Sequence, residues 1–220
     1  MPDYLMMISE HAATTPADAA RRLGDHEAFA AQIAGRTIDR GRFRPRAEGK
    51  RVTRDGVADG CFDATFDRYY WVRDEDIALA SELPLDVGEQ VDCRPVIRGE
   101  AHADKLDHPG KVFAFLVSAH AASEDAWVET METIAKETAQ IFPAERFAGG
   151  LRLRAPSTGK HIVLDQTKRR VIDGPFLESK EVIGGMLLLR MTDLDEAIGW
   201  ASGSRFLAYG ALEIRELWRM

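Results

Sequence analysis

The residue types best placed to do chemistry are one aspartate and a few histidines. In Asp173-Gly174-Pro175-Phe176, Pro175 fixes its own φ and pushes Gly174 toward an extended or positive-φ conformation. The Asp173 carboxylate can close that turn by accepting backbone N–H bonds, with Phe176 anchoring the loop in the core. It can equally stand at the mouth of a cleft as a general acid or base, or orient a histidine that does so. His120 follows an apolar strand, as does His11 earlier in the chain, and both also read as solvated histidines at a helix entrance. His161 lies in a ribbon with Lys160 and Lys168 and partners Asp173 if that ribbon folds over the cleft. His26 occupies an otherwise apolar helical face, where a core or interface role competes with a chemical one. The catalytic candidates are therefore Asp173, His120, His161 and His26.

Other chemistries find no support. Cys61, Cys93 and the His, Asp and Glu positions show no metal-ligand spacing, so no metal is expected. No glycine-rich phosphate loop follows a strand and no Gly-x-Ser-x-Gly elbow occurs, so no cofactor is expected. Arg42 with Arg44, and Arg152 with Arg154, alternate along strands and so project to one face, either a solvated surface or an anionic-ligand site. A net charge of −7 argues against a general nucleic-acid binder. The apolar fraction of 45% and charged fraction of 30% are those of a globular protein. Apolar runs such as Val112–Val117 and Met186–Leu189 suit buried strands and are too short for a bilayer. Asp3 and Glu10 flank the N-terminal apolar run and no export signal is visible, so a cytoplasmic, reducing compartment is expected.

The elements that must position these residues occur twice. Tyr4–Ala13 matches Val112–Ala122, Arg42-Phe43-Arg44 matches Arg152-Leu153-Arg154, and Gly49-Lys50-Arg51-Val52 matches Gly159-Lys160-His161-Ile162. Asp59-Gly60-Cys61-Phe62 answers Asp173-Gly174-Pro175-Phe176, and Val91–Val96 answers Leu212–Leu217. Five matches in one order predict a duplication, with residues 1–98 and 111–220 as the copies and 99–110 as a polar linker. Each copy opens with a strand and a helix. Thr15 and Ser123 are the predicted caps, Leu23, His26, Ala30 and Ile33 one buried face, and Met131, Ile134, Thr138 and Ile141 the other. A strand near Gly41–Arg46 or Gly150–Ala155 follows, then a ribbon turning at Arg54-Asp55-Gly56 or Asp165-Gln166-Thr167. A further strand, a short helix after Asp74 or Asp193 and a last strand complete the unit. Two antiparallel sheets with helices on their outer faces are expected, each copy covering the other's bare face.

Asp173-Gly174-Pro175-Phe176-Leu177-Glu178-Ser179-Lys180-Glu181, then Gly184-Gly185 and Asp193-Leu194-Asp195-Glu196-Ala197, resembles the YCII-related family in its DGPF-motif branch. The first copy resembles a degenerate member, with Cys61 in place of the proline. The resemblance implies an α+β fold: tandem ferredoxin-like βαββαβ units forming an intrachain pseudo-dimer of the dimeric α/β-barrel type. That group spans isomerase- and dehalogenase-like enzymes, monooxygenases and ligand-sensing regulators, so fold does not fix function. Relatives carry a histidine near the start of the first helix that is thought to work with an aspartate, and His26 resembles it loosely.

Two functional readings follow. One is a small-molecule enzyme of lyase, isomerase or dehalogenase type, with Asp173 and a histidine as a proton-transfer pair. The other is a non-enzymatic ligand-binding or regulatory module associated with extracytoplasmic-function sigma factors, as the resemblance implies. A small-molecule ligand and a sigma-factor or other protein partner are the expected partners, with no direct nucleic acid and no membrane; a homodimer stays open.

Overall fold

The computed structural model describes residues 2–9, 15–60, 66–101, 110–120, 124–141, 144–165, 168–174 and 181–218. In chain order these form β1 (Tyr4–Ser9), α1 (Pro16–Gln32), β2 (Thr37–Arg42), β3 (Lys50–Thr53), β4 (Gly56–Asp59), β5 (Phe66–Val72) and β6 (Gln90–Ala101). Then come β7 (Lys111–His120), α2 (Glu124–Ile141), β8 (Phe147–Leu153), β9 (Lys160–Asp165), β10 (Lys168–Asp173), β11 (Glu181–Met191), α3 (Leu194–Ser202) and β12 (Leu212–Glu216).

Local chemistry accounts for the helix starts. The Thr15 hydroxyl accepts a bond from the Asp18 N–H at 3.1 Å, and Pro16 begins α1. The Asp193 carboxylate accepts from the Glu196 N–H at 2.9 Å and starts α3. After Asp74, by contrast, only a 3-10 run forms, Asp74–Ser81; no side chain caps it, and Pro84 limits its extension. Two strands also begin earlier than their sequence pattern suggests: β2 at Thr37 and β8 at Phe147.

Every described strand pairing is antiparallel, along the path β2-β5-β1-β6-β8-β11-β7-β12-β3-β4, with β9 on β6 and β10 on β9. The expected two separate sheets are one continuous path because β6 is long enough to serve both. Its Val91–Pro95 stretch pairs with β1, and Val96–Ala101 pairs with β8 after a register shift between Val96 and Arg98. At the opposite end a bridge joins Phe43, just past β2, to Leu217, just past β12. Gly99–Ala101, expected in a linker, thus continue β6, while 102–109 lie outside the described residues. The hairpins cross over: β3–β4 is laid on β12, and β9–β10 on β6.

Alternation along these strands builds three cores. The central one joins Leu5, Met7, Tyr69 and Trp71 to Leu116, Leu151 and Leu188, and none of its buried members exceeds 7% exposure, so this layer is packed and not hollow. Phe29 and Ala30 of α1, with Ile33 at its C-terminal cap, cover Met6, Ile8 and Tyr70. Trp127, Met131 and Ile134 of α2, with Ala197 and Ala201 of α3, cover Phe113, Phe115 and Leu189. On α1 the inward position expected of Leu23 belongs to Arg22, whereas Leu23 is half-buried; the Thr138 and Ile141 side chains lie outside the described set. No described helix is long and apolar enough to cross a membrane.

Candidate functional site

The Asp-Gly motif sits where β10 ends. Register pairs Asp173 directly with Lys160 of β9, and Lys160 Nζ donates to Asp173 Oδ1 at 2.9 Å. The carboxylate is 88% exposed. A cross-strand cation therefore holds it, because antiparallel pairing puts a lysine opposite it. Gly174 follows at φ +92°, the positive value expected before Pro175, and its N–H donates to the Gly159 carbonyl at 3.0 Å. Pro175 to Lys180 lie outside the described residues. The same fastening occurs on the other hairpin: Lys50 pairs with Asp59, Gly60 has φ +90°, and the Gly60 N–H donates to the Gly49 carbonyl at 3.3 Å. There Lys50 holds the Asp59 carboxyl below the usual carboxylate range.

His161 does not face Asp173. The adjacent pair, His161 opposite Ile172, projects to the other face of the hairpin, and His161 is 3% exposed against β6. Burial pushes its pKa down to about 4. His120 ends β7 opposite Glu181 of β11, and its side chain is not described. His11 lies outside the described residues.

His26 is the most unusual of the candidates. It is 1% exposed beneath α1, and neither ring nitrogen has a hydrogen-bond partner among the described residues. Burial, reinforced by Arg68, Arg22 and Arg42, pushes its pKa down to about 3, so the ring is neutral at physiological pH. The surrounding cations are matched by carboxylates. Arg22 pairs with Asp86 at 2.9 Å and with Glu89; Arg68 donates to Asp67 at 2.6 Å, with Arg42 3.7 Å from the same carboxylate. The backbone carbonyl of His26 receives the Tyr70 hydroxyl at 3.4 Å. Spacing alone could have revealed Arg22, four residues before His26 on one helical face, but apolar periodicity pointed to Leu23.

The remaining candidates take structural roles. Arg42 and Arg44 share one face, as alternation predicted, and both lie over the Trp218 ring, at 5.6 and 4.4 Å. Gly184 and Gly185 mark a register shift in β11. A Cβ on Gly184 would lie 2.7 Å from Met131 Sδ, and one on Gly185 2.6 Å from the Leu151 carbonyl, so neighbouring elements fill the space a ligand would need. Cys93 is buried and burial pushes its thiol up, away from nucleophilic use. Among the described residues no group of three or more His, Cys, Asp or Glu could hold a metal ion.

Among the described residues, a strand-rich antiparallel sheet carrying three α-helices, with a lysine-tethered Asp-Gly turn at a hairpin end, defines a small α+β protein. The chain belongs to the YCII-related family, whose domain model matches residues 103–220. No curated protein matches it. A crystal structure from Fusobacterium nucleatum subsp. nucleatum, described as a "putative monooxygenase", aligns over 100% of this chain and 93% of its own. It is 10% identical with a TM-score of 0.41, and no argument rests on it.

Proposed function

We propose that this protein is a ligand-binding or regulatory module of the DGPF branch, built from two fused ferredoxin-like units as an intrachain pseudo-dimer, and that Asp173 fastens a turn in it. The pairing order β2-β5-β1-β6 beside β8-β11-β7-β12, and the reciprocal crossing of the two hairpins, support the fused-unit reading.

One observation carries the functional half: the Lys160–Asp173 tether recurs as Lys50–Asp59, in the half where Cys61 replaces the proline. A pair repeated where the proline has been lost is explained by the hairpin it closes. An exposed carboxylate bound to a lysine, with His161 on the opposite face, also lacks the burial and, among the described residues, the histidine partner that tune a general acid or base. The test is turnover: a panel of carbonyl and lactone compounds should show no conversion that depends on Asp173, and conversion abolished by Asp173→Asn would restore the enzyme reading. In the regulatory form the partner is a sigma factor, and co-purification is its readout.

The ring nitrogens of His26, without a partner among the described residues, favour a second reading, proton transfer at the seam between α1 and the sheet. It requires a substrate to reach a side chain that is 1% exposed. Conversion lost in His26→Asn and kept in Asp173→Asn would support it.

A further inference from the structure

Where the β3–β4 hairpin meets the end of α3, a cleft of about 590 Å3 opens between the two halves of the chain. That volume falls within the roughly 300–1,000 Å3 typical of small-ligand sites. The β3–β4 turn supplies Thr53 and Arg54 to one wall; Ser202, Ser204, Arg205 and Tyr209 line the other. No aspartate or glutamate is among the lining residues.

The walls are fixed by their own bonds. The Thr53 hydroxyl donates to the Gly56 carbonyl at 3.3 Å and accepts from the Asp55 N–H at 3.2 Å, which shapes the turn. The Ser204 hydroxyl accepts from the Phe206 N–H at 3.3 Å, which starts the 3-10 run Arg205–Ala208. The remaining donors are uncommitted: Arg54 and Arg205 form no ion pair with a described residue, and the Ser202 and Tyr209 hydroxyls have no described partner. Arg21, Arg22, Arg44, Arg68, Arg146 and Arg215, by contrast, are each held by a carboxylate. Two guanidinium groups without a described carboxylate partner thus line one cleft.

We infer that this cleft binds a small molecule through an oxyanion, a phosphate or a carboxylate, gripped by Arg54 and Arg205 with the Ser202 and Tyr209 hydroxyls in support. A guanidinium presents a planar fork of N–H donors matching both oxyanions, and a charge-assisted pair is stronger than a neutral hydrogen bond. Because one arginine comes from each half, the site exists only when the β3–β4 hairpin is laid on β12, and ligand binding would stabilise that crossing. The inference deepens the ligand-binding reading above and rests on it.

The experiment is calorimetric titration of the full chain at low ionic strength with pyrophosphate and, separately, succinate. The chains compared are wild type, Arg54→Gln, Arg205→Gln and Asp173→Asn, with the thermal midpoint of each confirming its fold. Saturable binding of at least one probe is expected, weakened tenfold or more by each arginine substitution and unchanged in Asp173→Asn. Tighter binding of pyrophosphate identifies a phosphate ligand, and tighter binding of succinate a carboxylate. Absence of saturable binding to both probes, or binding that survives both arginine substitutions, overturns the assignment. Its failure is distinct from that of the ligand-binding reading, which falls on Asp173-dependent turnover.

Discussion

Arg94 donates its Nε–H to the backbone carbonyl of Arg154 at 3.1 Å, a bond reinforced by its terminal nitrogen. Arg215 does the same to the carbonyl of Arg44, at 3.0 Å through Nε. Both arginines are 1% exposed, and each runs from the last strand of one half to the segment after the second strand of the other. These two latches lock the seams where β6 meets β8 and where the bridge Phe43–Leu217 closes.

The latches differ in their anions, and so should their substitutions. Arg215 lies 3.2 Å from Glu213, itself 1% exposed, whereas Asp92 is 3.7 Å from Arg94 and its side chain keeps 23% exposure. Arg215→Met leaves a buried carboxylate and a buried carbonyl without this cation and should cost about 3–5 kcal/mol. Arg94→Met mainly strands a carbonyl and should cost about 1–3 kcal/mol. Chemical denaturation of the two variants measures the difference, and an Arg94→Met loss equal to or greater than that of Arg215→Met contradicts it. Adding Glu213→Leu to Arg215→Met should recover much of the loss.

Acid should weaken the fold before its carboxylates titrate. The folded pKa values of His26 and His161, about 3 and about 4, lie below the unfolded value of about 6.5. Lowered values mean that the unfolded chain binds protons first. The neutral buried rings therefore cost nothing above the unfolded pKa, and stability falls as pH drops from there toward the folded values. Each histidine should remove up to about 2 kcal/mol between pH 7 and pH 5. His26→Leu should roughly halve that loss, as urea midpoints at the two pH values would show; an unchanged slope would place the acid sensitivity elsewhere.

The glycines ending the hairpins should be costly to replace although no described residue crowds them. Gly60 and Gly174 have φ +90° and +92°, and no atom of the described residues lies within 4 Å of a Cβ built on either. The cost of Gly60→Ala or Gly174→Ala is thus conformational alone, about 1–2 kcal/mol in each case. Thermal denaturation should show both midpoints lowered by similar amounts. A loss confined to Gly174→Ala would break the equivalence of the two hairpins.

Much of the local structure is legible in sequence. Thr15 caps where its position predicts, a helix starts after Asp193, both ribbons form, and Gly174 takes the positive φ that was one of its two expected conformations, while the predicted cap Ser123 lies outside the described residues. These features depend on a few neighbouring residues. The pairings of β3 with β12, β9 with β6 and β6 with β8 are not legible, because they join segments far apart in the chain without a shared periodicity. The site was legible only in part. Lys160 was visible beside His161, but the choice between them as partner of Asp173 depends on hairpin register, and a one-residue slip would exchange the two faces. Arg22 went unnoticed because apolar periodicity favours Leu23, whereas the Asp86 and Glu89 carboxylates that let a guanidinium turn inward lie on a distant loop.

The central claim is that Asp173 fastens a turn and takes no part in chemistry or ligand recognition. A thermal-shift panel of carbonyl, lactone, carboxylate and phosphate compounds on wild type and Asp173→Ala tests it most directly. The account predicts that every compound stabilising the wild type stabilises Asp173→Ala by the same amount. A compound whose stabilising shift disappears in Asp173→Ala, while the variant folds with an unaltered unliganded midpoint, would contradict it.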